Sequence, residues 1–361
     1  MTGEEVVSQA KSDGRLTGVD LTGVDLSRQD LAEIVFEGVN LARANLEGAK
    51  LAAAALVNVN LAGARLTGAD LAGARLDGVD LTGAVLAEAI FVDAALENVI
   101  LAEAELVGTD FSRAVFDRCD LRGCRAGGSL LIGAALRDCR LYGLDLTGAD
   151  LTQLLAAGGD FTAVVFQKTN LTKAFLVKGK FVKQSFRGST LLLTRFDQGD
   201  LKEADFSGLD LTSTSFDGAD LGAARFVKSF GRYTNFNEIS APGADFSQSD
   251  FFMANFTKAR LDGADFRQAR VEQSLFRMAC LDRGLFQYLS AAYADFSRAT
   301  VAGADFSRAG LRQANFHGVR RKEAKWEGAE TATIYKTDPE LWAAESWKPL
   351  EQIPAITDHL P

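Results

Sequence analysis

Cysteine and histidine are the side chains best able to supply a nucleophile, a metal ligand or a mobile proton near neutral pH. This sequence of 361 residues holds four cysteines and two histidines. Cys119, Cys124 and Cys139 are separated by multiples of five, and Cys119 and Cys139 are twenty residues apart. They lack C-x-x-C spacing, and neither a histidine nor an acid shares their inward register, so a metal site is not expected. Four cysteines in a chain of this length fit a reducing compartment better than a disulfide scaffold. We read the three as small core residues. His317 falls on an outward register and His359 in the tail, so no histidine, carboxylate and nucleophile can be assembled into a catalytic set. The glycine pairs Gly127-Gly128 and Gly158-Gly159 have no dinucleotide-binding or P-loop context. They read as places where a core leucine is missing and the wall bends, with Gly231 to Gly243 as a third. Aspartate and asparagine recur so regularly that they invite a reading as acid pairs or calcium ligands. Their recurrence at one register instead marks a solvent-facing ladder. No catalytic residue, metal or cofactor is expected.

The elements behind this register follow from a strict period. From Leu16 to Trp326 every fifth residue gives 63 positions, of which 54 are Leu or Phe, and the phase never slips. Two residues earlier the side chain is almost always small. An α-helix cannot use such a pattern, because five residues turn it by 500° and smear the apolar positions around its axis. A strand alternates with period two, so two of every five residues can face inward if a turn precedes the next pair. The result is a coil of very short strands, whose backbone groups find partners only if successive coils stack in parallel.

The core is legible too. From Phe186 to Phe316 every tenth residue is Phe, fourteen in succession, whereas before residue 110 the same sites are almost all Leu. Such side chains fill a lumen and leave no space for a ligand.

Ala-Asp-Leu-Ala-Gly at 69–73, Gly-Ala-Asp-Phe at 243–246, 263–266 and 303–306, and Gly-Val-Asp-Leu at 18–21 resemble the A(D/N)LXX signature of pentapeptide-repeat proteins. The likeness spans about 86% of the chain. It implies an all-β fold, a right-handed quadrilateral parallel β-helix with four pentapeptides per coil. Ten residues then connect opposite faces, and the phenylalanines form two facing stacks. At 20 residues per coil the repeat makes about sixteen coils in a rod of about 75 Å. Three segments are expected: 1–14 an N-terminal helical cap, 15–328 the β-helix, and 329–361 a C-terminal non-repeat tail, partly helical from Pro339 to Trp347.

Formal charge is −9, and the acidity is concentrated at the start, where residues 16–110 carry net −10. Quinolone-resistance members of the family engage gyrase by DNA mimicry, and the resemblance makes such mimicry the alternative function. Against it, no acidic residue lies between Asp160 and Asp197, and Lys168, Lys173, Lys178, Lys180, Lys183 and Arg187 encircle one coil. A second column, Ala95, Val115, Ala135, Leu155 and Phe175, is apolar where the ladder normally carries Asp, Asn or Arg. Apolar residues aligned in a row suit an interface better than scattered ones. The expected function is a non-catalytic protein–protein interaction scaffold. Its candidate contacts are this column, the lysines 168, 173, 178 and 183, and the tail residues Trp342 and Trp347. Long insertion-free arrays also resemble the pentapeptide regions associated with type VI secretion, which suggests an accessory role there. The expected partner is another protein, a second copy included, with neither membrane nor nucleic acid involved. The acidic start, Met1-Thr2-Gly3-Glu4-Glu5, precedes no apolar run, so a cytoplasmic location is expected.

Overall fold

The computed structural model describes residues 2–346. It shows a right-handed, four-sided parallel β-helix. One face carries seven regular strands, β1 (Arg15–Thr17), β2 (Val35–Glu37), β3 (Ala55–Val57), β4 (Arg75–Asp77), β5 (Ala95–Glu97), β6 (Val115–Asp117) and β7 (Ala135–Arg137). They pair in chain order as one parallel sheet, each residue opposite the residue twenty later. The regular strands stop at β7. The same twenty-residue offset continues as single-residue bridges on all four faces, as far as Asn315↔Tyr335. The coil geometry thus runs past residue 328, where the sequence repeat fades.

One repeat shows why five residues make a side. The Leu41 amide donates to Asn60 O in the next coil (2.7 Å) and the Asn40 amide to Val19 O in the coil before (3.0 Å). The Ala44 amide turns back to Leu41 O (3.0 Å), closing the corner. Two residues after each centre the backbone adopts positive φ, as at Gly23 (φ 69) and Lys173 (φ 60). The Asp or Asn before the centre secures this turn. Asp150 Oδ1 accepts from the Thr152 amide (2.9 Å) and hydroxyl (2.6 Å), and Asn170 one coil later repeats the pattern with the Thr172 amide (3.1 Å). The recurrent acids are therefore turn caps that compete successfully for local N–H groups.

The central residues and the small residues two places earlier are buried almost without exception. Phenylalanines twenty apart stack, as Phe226 on Phe246 (centroids 4.6 Å, planes 1° apart). Those ten apart meet edge to face, as Phe226 against Phe236 (5.4 Å, 90°). Trp326 ends one column, stacked on Phe306 at 4.7 Å.

Helix α1 (Gly3–Asp13) opens the chain. Its capping box is complete, with the Thr2 amide donating to Glu5 Oε2 (2.8 Å) and the Glu5 amide to Thr2 Oγ1 (3.3 Å). Val6 and Ala10 are fully buried against the core beneath it. Helix α2 (Pro339–Ser346) starts from Asp338, whose Oδ1 accepts from the amides of Glu340 (2.9 Å) and Leu341 (3.1 Å). It lies back along the strand face, with Trp342 over Gly318 and near the His317 ring.

Candidate interaction surface

Ala95, Val115 and Ala135 open β5, β6 and β7, and bridges carry their column through Leu155 and Phe175 to Arg195. The row lies on the strand face and spans about 19 Å from Ala95 to Phe175. It is not uniformly open. Ala135 is buried, Val115 and Phe175 are half-buried, Ala95 is exposed, and Leu155 is 53% exposed. The expected continuous stripe is thus a shorter patch centred on Leu155.

The patch sits where the wall changes. Ala156 takes a centre that Leu or Phe normally fills, the regular sheet has just ended, and a depression of about 420 Å3 opens between Ala135, Leu136, Asp138, Leu155, Ala157 and Phe175. Arg195 follows Phe175 in the column. That guanidinium stands 5.2 Å from the Phe175 ring centroid and pairs with Asp197 at 2.5 Å.

The four lysines of the belt occupy four successive corners, each with positive φ between 56° and 60°, and all are exposed. Lys173 and Lys178 bound the strand face on either side of Phe175, two residues before it and three after. Lys168 and Lys183 stand on the other two corners, so one flat partner cannot meet all four. Lys183 pairs with Glu203 (3.6 Å) and Lys180 with Asp160 (4.0 Å). Among the described residues, Lys168, Lys173 and Lys178 have no ion pair.

Trp342 shares the strand face but belongs to its far end, beside Gly318, about 34 Å along the rod from Phe175. It is a separate place. Trp347 and His359 lie outside the described residues.

His317 takes the outward register expected of it, but α2 covers it, leaving the residue 7% exposed. Its Nδ1 accepts from the Asp338 amide (3.2 Å), which places the ring proton on Nε2, 3.2 Å from Glu345 Oε2. Arg298 also holds that carboxylate (2.5 Å), and with the Arg298 guanidinium beside it the Glu345 carboxyl lies below its ordinary range. This is a clamp for α2.

The cysteines are free. Burial pushes the Cys124 thiol up to about 12. The neighbouring Cys139 thiol and burial hold Cys119 far above its usual value. Cys280, to which the sequence assigned no role, takes a ladder position between Asp262 and Asp282, with ligand atoms within 4.8 Å of one another. The thiol donates to Asp262 (3.2 Å) and Asp282 accepts from the Ala302 amide (2.7 Å), so internal bonds account for the cluster.

Comparison with known proteins agrees with this geometry. The pentapeptide-repeat profile matches eight copies, over residues 20–52, 44–86, 80–118, 114–153, 193–226, 232–268 and 292–321, well over half the chain. The chain belongs to the pentapeptide-repeat family. No curated protein matches it significantly. Among solved structures of the family, it is similar to HetL, a pentapeptide repeat protein involved in heterocyst differentiation regulation from the cyanobacterium Nostoc sp. strain PCC 7120. That match has 20% identity, covers 92% of this chain and 96% of that one, and has a TM-score of 0.18. QnrB1, a plasmid-mediated fluoroquinolone resistance protein, is 18% identical over 58% of this chain and 82% of its own, with a TM-score of 0.21. A pentapeptide repeat protein from the Arabidopsis thaliana thylakoid lumen is 29% identical over 35% of this chain and 70% of its own, with a TM-score of 0.12. Scores this low carry no functional argument. Among the described residues, no helix is long and apolar enough to cross a membrane.

Proposed function

We propose that this pentapeptide-repeat protein is a non-catalytic scaffold that docks another protein on its strand face. The carrying observation is the patch around Leu155. An exposed leucine and a half-buried phenylalanine stand in register beside a depression of about 420 Å3, with the unpaired Lys173 and Lys178 on both flanking corners. An apolar centre with charged edges is the anatomy of a protein interface. The matching partner presents apolar side chains flanked by carboxylates. A second copy can do so with its acidic N-terminal third, and so can an unrelated protein. The rod acts as a rigid spacer between this patch and the α2 end, in the cytoplasm, and an accessory role beside a secretion system rests on family resemblance alone.

DNA mimicry has less support. Asp30, Glu47, Asp93, Glu97 and Glu105 in the acidic third are ion-paired to Lys11, Arg65, Arg113, Arg118 and Arg125, which blunts the negative field that such a mimic needs.

The test is Leu155→Asp combined with Phe175→Asp. Both side chains lie outside the core, so circular dichroism should be unchanged while self-association by light scattering, or capture of a protein partner, is lost. If both readouts are indifferent to the change, the patch is not the interface.

A further inference from the structure

Cys119 and Cys139 share one column in adjacent coils, and their environments differ in a way that separates two chemical roles. Cys119 is 1% exposed, and its thiol donates to Leu96 O at 3.3 Å in the coil below. Cys139 is only partly buried. Cys139 lines a narrow depression of about 90 Å3 together with Asp138, Ala157, Gly158, Gly159, Asp160 and Phe161. Gly158 and Gly159 add no side chain to this wall, and the Phe161 ring packs against Gly159. The backbones are tightly coupled here, with the Arg140 amide donating to Cys119 O (2.9 Å) and Asp120 bridged to Arg140. Coil spacing of about 4.8 Å lies inside the Cα separation that a disulfide spans. The Cys139 sulfur lies 3.7 Å from Phe116 O in the coil of Cys119 and 3.3 Å from Arg137 O in its own, so closure requires both thiols to leave these carbonyls, Cys119 turning away from Leu96.

We propose that Cys139 and Cys119 form a peroxide-responsive pair, Cys139 as the reacting thiol and Cys119 as the resolving one. The ligand class is a hydroperoxide. The Cys139 thiolate attacks one peroxide oxygen and the O–O bond breaks. The sulfur becomes a sulfenic acid, and the other oxygen takes a proton and leaves as water or an alcohol. Cys119 sulfur then displaces hydroxide from the sulfenic sulfur, and that hydroxide leaves as water with the Cys119 proton. Two thiols lose two electrons in all, and one hydroperoxide gains them. The electrostatics agree, since the neighbouring Cys119 thiol holds the Cys139 thiol below its ordinary value. An accessible, more acidic thiol beside a second cysteine is the arrangement of redox-sensing pairs. The product ties two coils together beside the patch around Leu155, yet the proposal does not depend on that patch binding anything.

The experiment treats the full-length protein with one equivalent of hydrogen peroxide, counts free thiols and maps the non-reduced tryptic digest by mass spectrometry. Free thiols should fall from four to two, with a peptide linking Cys119 to Cys139. Cys119→Ser should abolish the link and leave a sulfenic acid on Cys139 that dimedone traps. Cys139→Ser should abolish the link and slow peroxide consumption about tenfold or more. Circular dichroism confirms that each variant is folded. The proposal fails if no linked peptide forms in the wild type, if dimedone labels only Cys280, or if Cys139→Ser reacts as fast as the wild type.

Discussion

The His317 ring stands between the Asp338 amide and the Glu345 carboxylate, 3.2 Å from each, and so ties both ends of α2 to the side of the rod. The helix has only two turns and would not hold its shape alone. His317→Ala should release it while the coils stay folded. Trp342 fluorescence should shift to the red and cleavage after Arg298-distal sites such as Lys336 should quicken in limited proteolysis. An unchanged emission maximum would mean that Trp342 on Gly318 holds the helix without the clamp.

The phenylalanine columns set the stability of the C-terminal half. Phe236 stacks between Phe216 (5.2 Å) and Phe256 (4.7 Å) and meets Phe226, Phe246 and Phe251 edge on. Phe236→Ala should cost about 3–5 kcal/mol, through lost burial and a cavity that the stacked coils cannot close. Leu76→Ala in the leucine-filled half lacks the ring contacts and should cost less. Chemical denaturation with a local probe in each half measures both.

Acid should weaken the corners. Asp20 is held below the ordinary carboxylate value chiefly by Thr22, Asp120 chiefly by Arg122, and Asp160 chiefly by Thr162. A carboxyl depressed in the folded state contributes its full stabilisation above the unfolded value of about 3.9 and loses it as pH falls through the lower folded value. Thermal stability should therefore be nearly flat from neutral pH to about 4 and decline below it. A decline that begins near pH 6 would point to a different group.

Position around the coil should decide which lysines matter. Reversing Lys173 and Lys178 to Glu should weaken a partner docked at Leu155 and reduce the salt dependence of its binding. Reversing Lys168 and Lys183, on the other two corners, should leave that binding intact. Equal effects from the two pairs would place the partner elsewhere.

The period of five carried the fold almost completely, because every core side chain sits at one register and a single slip would expose it. The ladder column of Ala95, Val115, Ala135, Leu155 and Phe175 was legible for the same reason. Its unequal exposure was not, since that depends on where the sheet ends and how far Ala156 lets the wall sink. The outward register of His317 was legible but its burial was not, because register predicts which way a residue points, whereas a helix returning from the tail decides whether it meets water. The spacing of twenty placed Cys139 in one column with Cys119, but it did not show that Cys139 is only partly buried. Its partial exposure lies beside Gly158 and Gly159 in the next coil, a neighbourhood of residues about twenty apart that the period alone does not weigh.

Because each residue sits over the one twenty places away, the rod behaves as an indexed shaft. Removing a whole coil of twenty residues between Phe175 and His317 would bring the two ends of the strand face closer without turning one against the other. Removing a single pentapeptide would keep every core side chain inward and rotate everything beyond it by a quarter turn. The patch at Leu155 and the helix at Trp342 would then look in perpendicular directions. Small in-phase deletions thus act as angular adjustments, and a lineage of such rods can re-aim its binding surfaces without redesigning either one.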